Sequence, residues 1–177
     1  ILKDGTIVGV HFVDELLREK GKKENRTAVI MAGGMGTRLL PLTAMTPKPL
    51  MEVGNQPILF TILDQLLAAD FSRAYISVNY KADMIEEAVG KEARYSDLVH
   101  FVHEESRLGT AGSLKLLPEK IPRSFLLMNG DLLTTVAINE MMSFHDFERD
   151  DYFGNHFLDV RIVTSSDHVH DCLKCSK

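Results

Sequence analysis

Two cysteines among 177 residues cannot build a disulfide framework. No apolar stretch approaches the roughly 20 residues that a membrane-spanning helix needs, so no membrane partner is expected. The first residues lack a signal-peptide pattern, and a cytoplasmic location is the expectation. Basic charge is not in excess either. The formal net charge of −5 argues against a nucleic-acid partner, which needs a broad basic face. Two common phosphate-loop signatures are also missing. The string G-x-x-x-x-G-K-S/T does not occur, and Gly34-Met35-Gly36-Thr37-Arg38-Leu39 puts leucine where a dinucleotide-binding loop has its third glycine. What the chain does have is 45% hydrophobic and 25% charged residues, enough for one sizeable core.

The most informative stretch runs from Met31 to Leu50, MAGGMGTRLLPLTAMTPKPL. It follows Ala28-Val29-Ile30-Met31, a short continuous apolar run that reads as a strand buried on both faces. Gly33, Gly34 and Gly36 then leave the strand end. Glycines let a ligand approach the backbone closely, and successive free N–H groups in such a loop form an anion-binding concavity. Arg38 adds a planar, always-charged fork suited to phosphate. Lys48 lies between Pro47 and Pro49, which restrict its backbone and aim its ammonium. A structural turn with incidental charges is the plainer alternative. The continuation from the glycines into Arg38 and Lys48 favours a phosphorylated ligand.

Beyond this stretch, strands and helices alternate. Pro57 to Ala69 carries one apolar face of Ile58, Leu59, Ile62, Leu63, Leu66 and Leu67 and reads as a helix. Helices are also expected over Ala82–Val89, Ala111–Leu117 and Ile138–Phe147, and strands over Ala74–Val78, Val99–Val102 and Phe125–Met128. Such alternation predicts an α/β fold, with a mostly parallel sheet covered by helices on both faces. Ligands in these sheets sit beyond the carboxyl ends of the strands. The glycine loop, Asn79-Tyr80, His103-Glu104 and Asn129-Gly130-Asp131 all follow strands and should meet on one edge. Asp131 there can take Mg²⁺, which binds one or two carboxylates together with phosphate oxygens and water. On turn chemistry alone, an ordinary turn aspartate is the alternative. Glu104 could hydrogen-bond a base or a sugar, although an exposed glutamate is the commoner outcome.

Gly34-x-Gly36-Thr37-Arg38-Leu39-x-Pro41-Leu42-Thr43, followed by Pro47-Lys48-Pro49-Leu50, closely resembles the signature of sugar-phosphate nucleotidyltransferases. The resemblance continues through Gln56-Pro57-Ile58-Leu59, Leu108-Gly109-Thr110-Ala111-Gly112-Ser113 and Asn129-Gly130-Asp131, and covers about residues 27 to 147. It implies a Rossmann-like nucleotidyltransferase fold. It also implies transfer of a nucleoside monophosphate from a nucleoside triphosphate to a sugar 1-phosphate, with release of pyrophosphate and with Mg²⁺ as cofactor. Arg38 and Lys48 would be catalytic and Asp131 would hold the metal. Ala32, Gly33, Gly34, Gly36 and Thr37 would bind the nucleotide, with Gly109, Thr110 and Gly112 along the base pocket. The "LGTAG" form leans towards the mannose-1-phosphate guanylyltransferase-like branch.

The resemblance stops short of both ends. Residues 1–22 read as a turn at Asp4-Gly5, a β-prone run and a helix over Val13–Lys20, and loosely resemble the end of a CBS module with its linker. A hairpin and helix packing on the main domain is the alternative. Residues 23–148 form the expected nucleotidyltransferase core, and residues 149–177 a divergent or disordered tail. The family continues with further strands, sugar-binding residues and a second metal-binding Asp, none of which can be placed in the tail, so the fold is expected to be incomplete. Strand edges left unpaired would favour association into a homo-oligomer. His168-x-His170-x-Cys172-x-x-Cys175 superficially resembles a zinc site, but a single Cys-x-x-Cys at a chain end is a poor indicator of one. Two other classes stand beside the enzyme: a nucleotide-binding regulatory subunit without turnover, and an inactive fragment that folds or assembles only.

Overall fold

The computed structural model describes residues 26–106, 108–109, 112–118 and 124–142, together with four short strands outside them. Strand β1 (Leu2–Lys3) pairs antiparallel with β2 (Thr6–Ile7), and the turn expected at Asp4-Gly5 lies outside the described residues. The helix expected over Val13–Lys20 lies outside the described residues.

The central strand is β3 (Thr27–Met31), the apolar run before the glycine loop. A small antiparallel pair follows, β4 (Glu52–Val53) with β5 (Gln56–Pro57), and leads into helix α1 (Ile58–Ala68). Then come β6 (Arg73–Val78), helix α2 (Ala82–Gly90), β7 (Val99–His103) and β8 (Ser124–Asn129). Two more strands complete the sheet, β9 (Asp159–Val163) and β10 (His170–Asp171). The six-stranded order is β10-β9-β8-β3-β6-β7, parallel throughout except for β10 against β9.

From β3 the chain first builds outward on one side through β6 and β7, then crosses to the other side for β8 and β9. The reversal falls between β3 and β8, where Met31 is in register with Asn129. At such a switch point the loops leaving the two strands diverge and open a crevice. The glycine loop leaves β3 here, and Asn129-Gly130-Asp131 leaves β8 beside it. The two loops stay in contact because Gly130 N–H donates to the Met31 carbonyl at 2.8 Å. A Cβ on Gly130 would lie 3.1 Å from that oxygen and 3.1 Å from the Ala32 Cβ, so a side chain there would push the loops apart.

Strand alternation divides the core between the two faces of the sheet. Ala28, Ile30, Ala74, Ile76, Leu126 and Met128 face one side and pack under α1, α2 and the helical residues 138–142. Val29, Tyr75, Phe125 and Leu127 face the other, where Leu114 and Leu117 cover them. This second face differs from the expectation of a helix over Ala111–Leu117: Gly112–Leu116 forms a short 3-10 turn instead. Glycine precedes that segment at Gly109 and opens it at Gly112, and Pro118 closes it, leaving too few residues to repay α-helix nucleation. Among the described residues every α-helix therefore lies on the first face.

The sheet also continues past residue 148, where the sequence pattern ended the core. β9 runs parallel to β8, so β8 is not an edge strand. The remainder of the helix expected to Phe147 and most of the His168–Cys175 stretch lie outside the described residues.

A polar network ties α1 to the segment after α2. Tyr95 is fully buried, and its hydroxyl donates to Asp64 Oδ1 at 2.8 Å. Arg94 Nη1 also reaches Asp64 Oδ1, at 3.0 Å, and Gln56 Nε2 donates to Oδ2 at 3.2 Å. Burial first, and then the bond to the Asp64 carboxylate, hold the Tyr95 phenol protonated well above its ordinary value of 10.0.

Candidate functional site

A cavity of about 530 Å³ opens at the switch point. The β3 loop supplies one wall through Ala32, Gly33, Gly34, Gly36, Thr37 and Arg38. Lys48, Pro49, Asn129, Asp131, Glu104 and Gly109 belong to the same lining. The cavity thus brings together residues from distant parts of the sequence, among them the segments that leave the carboxyl ends of β3, β7 and β8.

The β3 loop is shaped by its last glycine. Gly36 has φ +62°, in the left-handed region, and turns the chain into a 3-10 turn over Thr37–Leu39. A Cβ there would meet the Thr43 methyl at 2.9 Å. Thr43 is fully buried, and its hydroxyl donates to the Gly36 carbonyl at 2.9 Å, so the turn is fixed from below. The Gly36 carbonyl is thereby engaged, while the donors of the loop are not. Among the described residues, the backbone N–H groups from Gly33 to Arg38 have no hydrogen-bond acceptor. A run of unused donors on a cavity wall is an anion-binding arrangement. Arg38 is exposed at its rim, with no described acidic partner.

Lys48 opens the 3-10 turn Lys48–Leu50, after Pro47 in extended conformation and before the buried Pro49. Its ammonium forms an ion pair with Asp131 Oδ2, and each of the two side chains is about one-third exposed. The neighbouring segment is braced by Lys81, whose ammonium donates to the Ala44 carbonyl at 2.5 Å.

Glu104 is better placed than an exposed glutamate. It follows β7 directly, is half-buried, and faces Gly33, whose added Cβ would lie 3.2 Å from its Oε1. Buried Ser77 donates its hydroxyl to Oε1, Leu108 N–H donates to Oε2 at 3.2 Å, and Asn79 Nδ2 donates to the Glu104 carbonyl at 2.5 Å. Two donors thus hold the carboxylate and a third holds the backbone of Glu104, on the lining of the cavity that Lys48 and Asp131 share. Its position after a strand was legible in the sequence, but its partners Ser77 and Asn79 were not, since strand pairing alone brings β6 and β7 together.

Of the residues expected along the base pocket, Gly109 is on the described cavity wall. Thr110 lies outside the described residues. Gly112 is not on the cavity wall: a Cβ there would strike the Leu108 Cβ at 2.4 Å, so the residue keeps that turn tight.

The nucleotidyltransferase resemblance implies Mg²⁺, and the donor set fits it in a limited way. Asp131 presents a carboxylate to the cavity, with the Lys48 ammonium standing where a cation would be held. No group of three metal-binding side chains gathers among the described residues. Mg²⁺ suits a site of one carboxylate because phosphate oxygens and water complete its shell.

The family model for nucleotidyl transferases matches residues 27–167. The chain is 38% identical over 122 residues to mannose-1-phosphate guanyltransferase of Aspergillus oryzae, covering 67% of this chain and 34% of the relative. It is equally similar, at 38% over 122 residues, to the mannose-1-phosphate guanylyltransferase catalytic subunit beta of Xenopus tropicalis, with coverage of 67% and 34%. Among solved structures, HddC from Yersinia pseudotuberculosis complexed with GMP-PN aligns with a TM-score of 0.59 at 32% identity. The alignment covers 67% of this chain and 53% of that one. The chain spans about a third of the length of the curated relatives it matches.

Proposed function

We propose, from the premise that this chain belongs to the nucleotidyl transferase family, that its protein transfers a nucleoside monophosphate from a nucleoside triphosphate to a sugar 1-phosphate and releases pyrophosphate. One observation carries this reading above the others. Gly33, Gly34, Gly36, Thr37 and Arg38, whose N–H groups are unused, line with Lys48 and Asp131 one cavity of about 530 Å³ at the switch point of a parallel sheet.

In the reaction, an oxygen of the sugar phosphate attacks the α-phosphorus of the triphosphate. A new P–O bond forms there, the bond from the α-phosphorus to the β-phosphate bridge breaks, and pyrophosphate departs with that electron pair. Such a displacement needs positioning and charge stabilisation rather than a covalent enzyme intermediate. The donors from Gly33 to Arg38 hold the β- and γ-phosphates, which become the pyrophosphate. The Arg38 guanidinium grips two of their oxygens at once and takes up charge as the pyrophosphate leaves. Lys48 neutralises charge at the α-phosphate or the incoming sugar phosphate. Asp131 would hold Mg²⁺, which supplies Lewis-acid polarisation of phosphate oxygens.

The base is guanine in this reading. A fixed carboxylate accepts hydrogen bonds and gives none, so Glu104 favours the base edge richest in donors. Guanine offers N1–H and the 2-amino group side by side, whereas no other common base sets two donors next to each other on its pairing edge. The guanylyltransferase relatives support the same choice, and they favour mannose 1-phosphate as the acceptor. The catalytic unit is taken to run over residues 27–167, with residues 1–22 as a separate appendage.

A panel of nucleoside triphosphates with Mg²⁺, read by thermal shift, tests the binding half, because a ligand of the native state raises the melting temperature by mass action. Pyrophosphate release with mannose 1-phosphate tests the chemistry. Binding of GTP with no release from any sugar 1-phosphate would instead favour a regulatory nucleotide-binding role.

A further inference from the structure

The Lys48–Asp131 ion pair has a consequence for how ligands enter the cavity. Among the described residues Lys48 is one of two cations on the cavity wall, and it is paired with the Asp131 carboxylate. Arg38 and the N–H groups from Gly33 to Arg38 remain open to an anion. Glu104, the other carboxylate among the described lining residues, is held by Ser77 and by Leu108 N–H, with its remaining lone pairs directed to the base in the reading above. A divalent cation arriving alone therefore finds Asp131 screened by an ammonium it must displace. A triphosphate arriving alone finds one of its two cationic side chains tied down.

We propose that Lys48 is the resident counter-cation of Asp131 and is exchanged for a divalent ion when nucleotide binds. The ion takes the Asp131 carboxylate, and Lys48 swings onto a phosphate oxygen. Each event supplies the partner that the other displaces, so metal and triphosphate bind as a coupled pair. Coupling of this kind is reciprocal: the triphosphate raises the affinity for metal by the same factor that the metal raises the affinity for triphosphate. This inference rests on the nucleotide-binding reading above and adds to it an order of events and a role for Lys48 before any chemistry. The exchange needs little rearrangement. Both side chains are about one-third exposed, and the backbone of Lys48 is held between two prolines, so only the flexible stem has to move.

The test uses Mn²⁺ as the metal probe, counted as free ion by electron paramagnetic resonance, and GTP as the nucleotide. Lys48→Met removes the competing ammonium and should bind Mn²⁺ without nucleotide about tenfold more tightly than wild type, the scale of one charged hydrogen bond. Asp131→Asn releases Lys48 and should bind GTP in the presence of EDTA about tenfold more tightly than wild type, on the same scale. Lys48→Gln repeats the first measurement with a polar side chain, and circular dichroism melts verify that each variant is folded. If neither Lys48 variant gains nucleotide-free Mn²⁺ affinity, or if Asp131→Asn gains no metal-free GTP affinity, the exchange is refuted. Failure of wild type to bind GTP even with Mn²⁺ would overturn the nucleotide-binding reading itself, so the two failures are distinguishable.

Discussion

Adding one methyl group at Gly34 and one at Gly36 should give opposite kinds of damage. Gly36 adopts φ +62°, and a Cβ there meets the buried Thr43 methyl at 2.9 Å. Alanine at Gly36 therefore carries a left-handed backbone penalty of about 1–2 kcal/mol. A tight contact with a side chain that cannot retreat adds about 1–2 kcal/mol more. The turn over Thr37–Leu39 shifts with it and carries Arg38 away from the cavity. Gly36→Ala should lower folding stability by about 2–4 kcal/mol in urea denaturation and should also weaken triphosphate binding. Gly34 differs because a Cβ there meets nothing within 4 Å and its φ lies outside the left-handed range. Gly34→Ala should leave stability within about 0.5 kcal/mol of wild type. If phosphate lies against the loop, however, that open space is where it sits. Gly34→Ala should then weaken GTP binding about tenfold, by displacing the ligand from its N–H donors. Isothermal titration of GTP with Mg²⁺ into both variants decides. A Gly34→Ala chain that binds GTP as well as wild type would refute close approach of a phosphate to this loop.

Glu104→Gln keeps the shape of the side chain but turns one acceptor into a donor; the preference for GTP over UTP, measured as a ratio of dissociation constants, should fall about tenfold. Lys48→Met in the whole protein should reduce pyrophosphate release about a hundredfold or more while moving the melting temperature little, as expected for a group acting on transition-state charge; equal turnover would contradict the role given to it. Tyr95 supplies a pH dependence. Its folded-state value is raised, so the stability carried by its protonated hydroxyl is complete below the ordinary value of 10.0 and is lost as pH climbs from there towards the raised value. Tyr95→Phe should cost about 1–2 kcal/mol near neutrality through its lost bond to Asp64. The variant should also show a flatter decline in stability above about pH 10 than wild type, and parallel declines in the two proteins would show that Tyr95 does not titrate on unfolding.

Much of this site could be read from the order of residues. The apolar run ending at Met31, the glycines after it and the aspartate two residues beyond β8 mark strand ends, and a parallel sheet collects strand ends on one edge. Periodicity gave α1 to within a residue: five of the six apolar positions read from the sequence are buried, whereas Leu67 is exposed and Phe60 is buried instead. What stayed hidden depends on contacts between segments far apart in the chain. Nothing local in the sequence pairs Lys48 with Asp131 or Ser77 with Glu104; the sheet order does that. The short 3-10 turn at Gly112–Leu116 was mistaken for a helix because Leu114 and Leu117 have helical spacing, while the flanking glycines and Pro118 limit its length. β9 was missed for a different reason. Val160-Arg161-Ile162-Val163 is a β-prone run, but it sits among acidic and histidine-rich residues that carry no periodic signal of their own.

The central claim is that a nucleoside triphosphate binds in the cavity between the Gly33–Arg38 loop and Asp131. Titration of GTP with Mg²⁺ into wild type and Arg38→Ala, side by side, tests it most directly. Arg38 has no described partner whose loss could disturb the fold, so its removal reports on the ligand alone. Wild type should bind, and Arg38→Ala should bind more weakly by about 1.5–3 kcal/mol, the range for a hydrogen bond to a charged group, with an unchanged melting temperature. Identical affinities in the two proteins, or no binding by wild type to any triphosphate, would contradict the account.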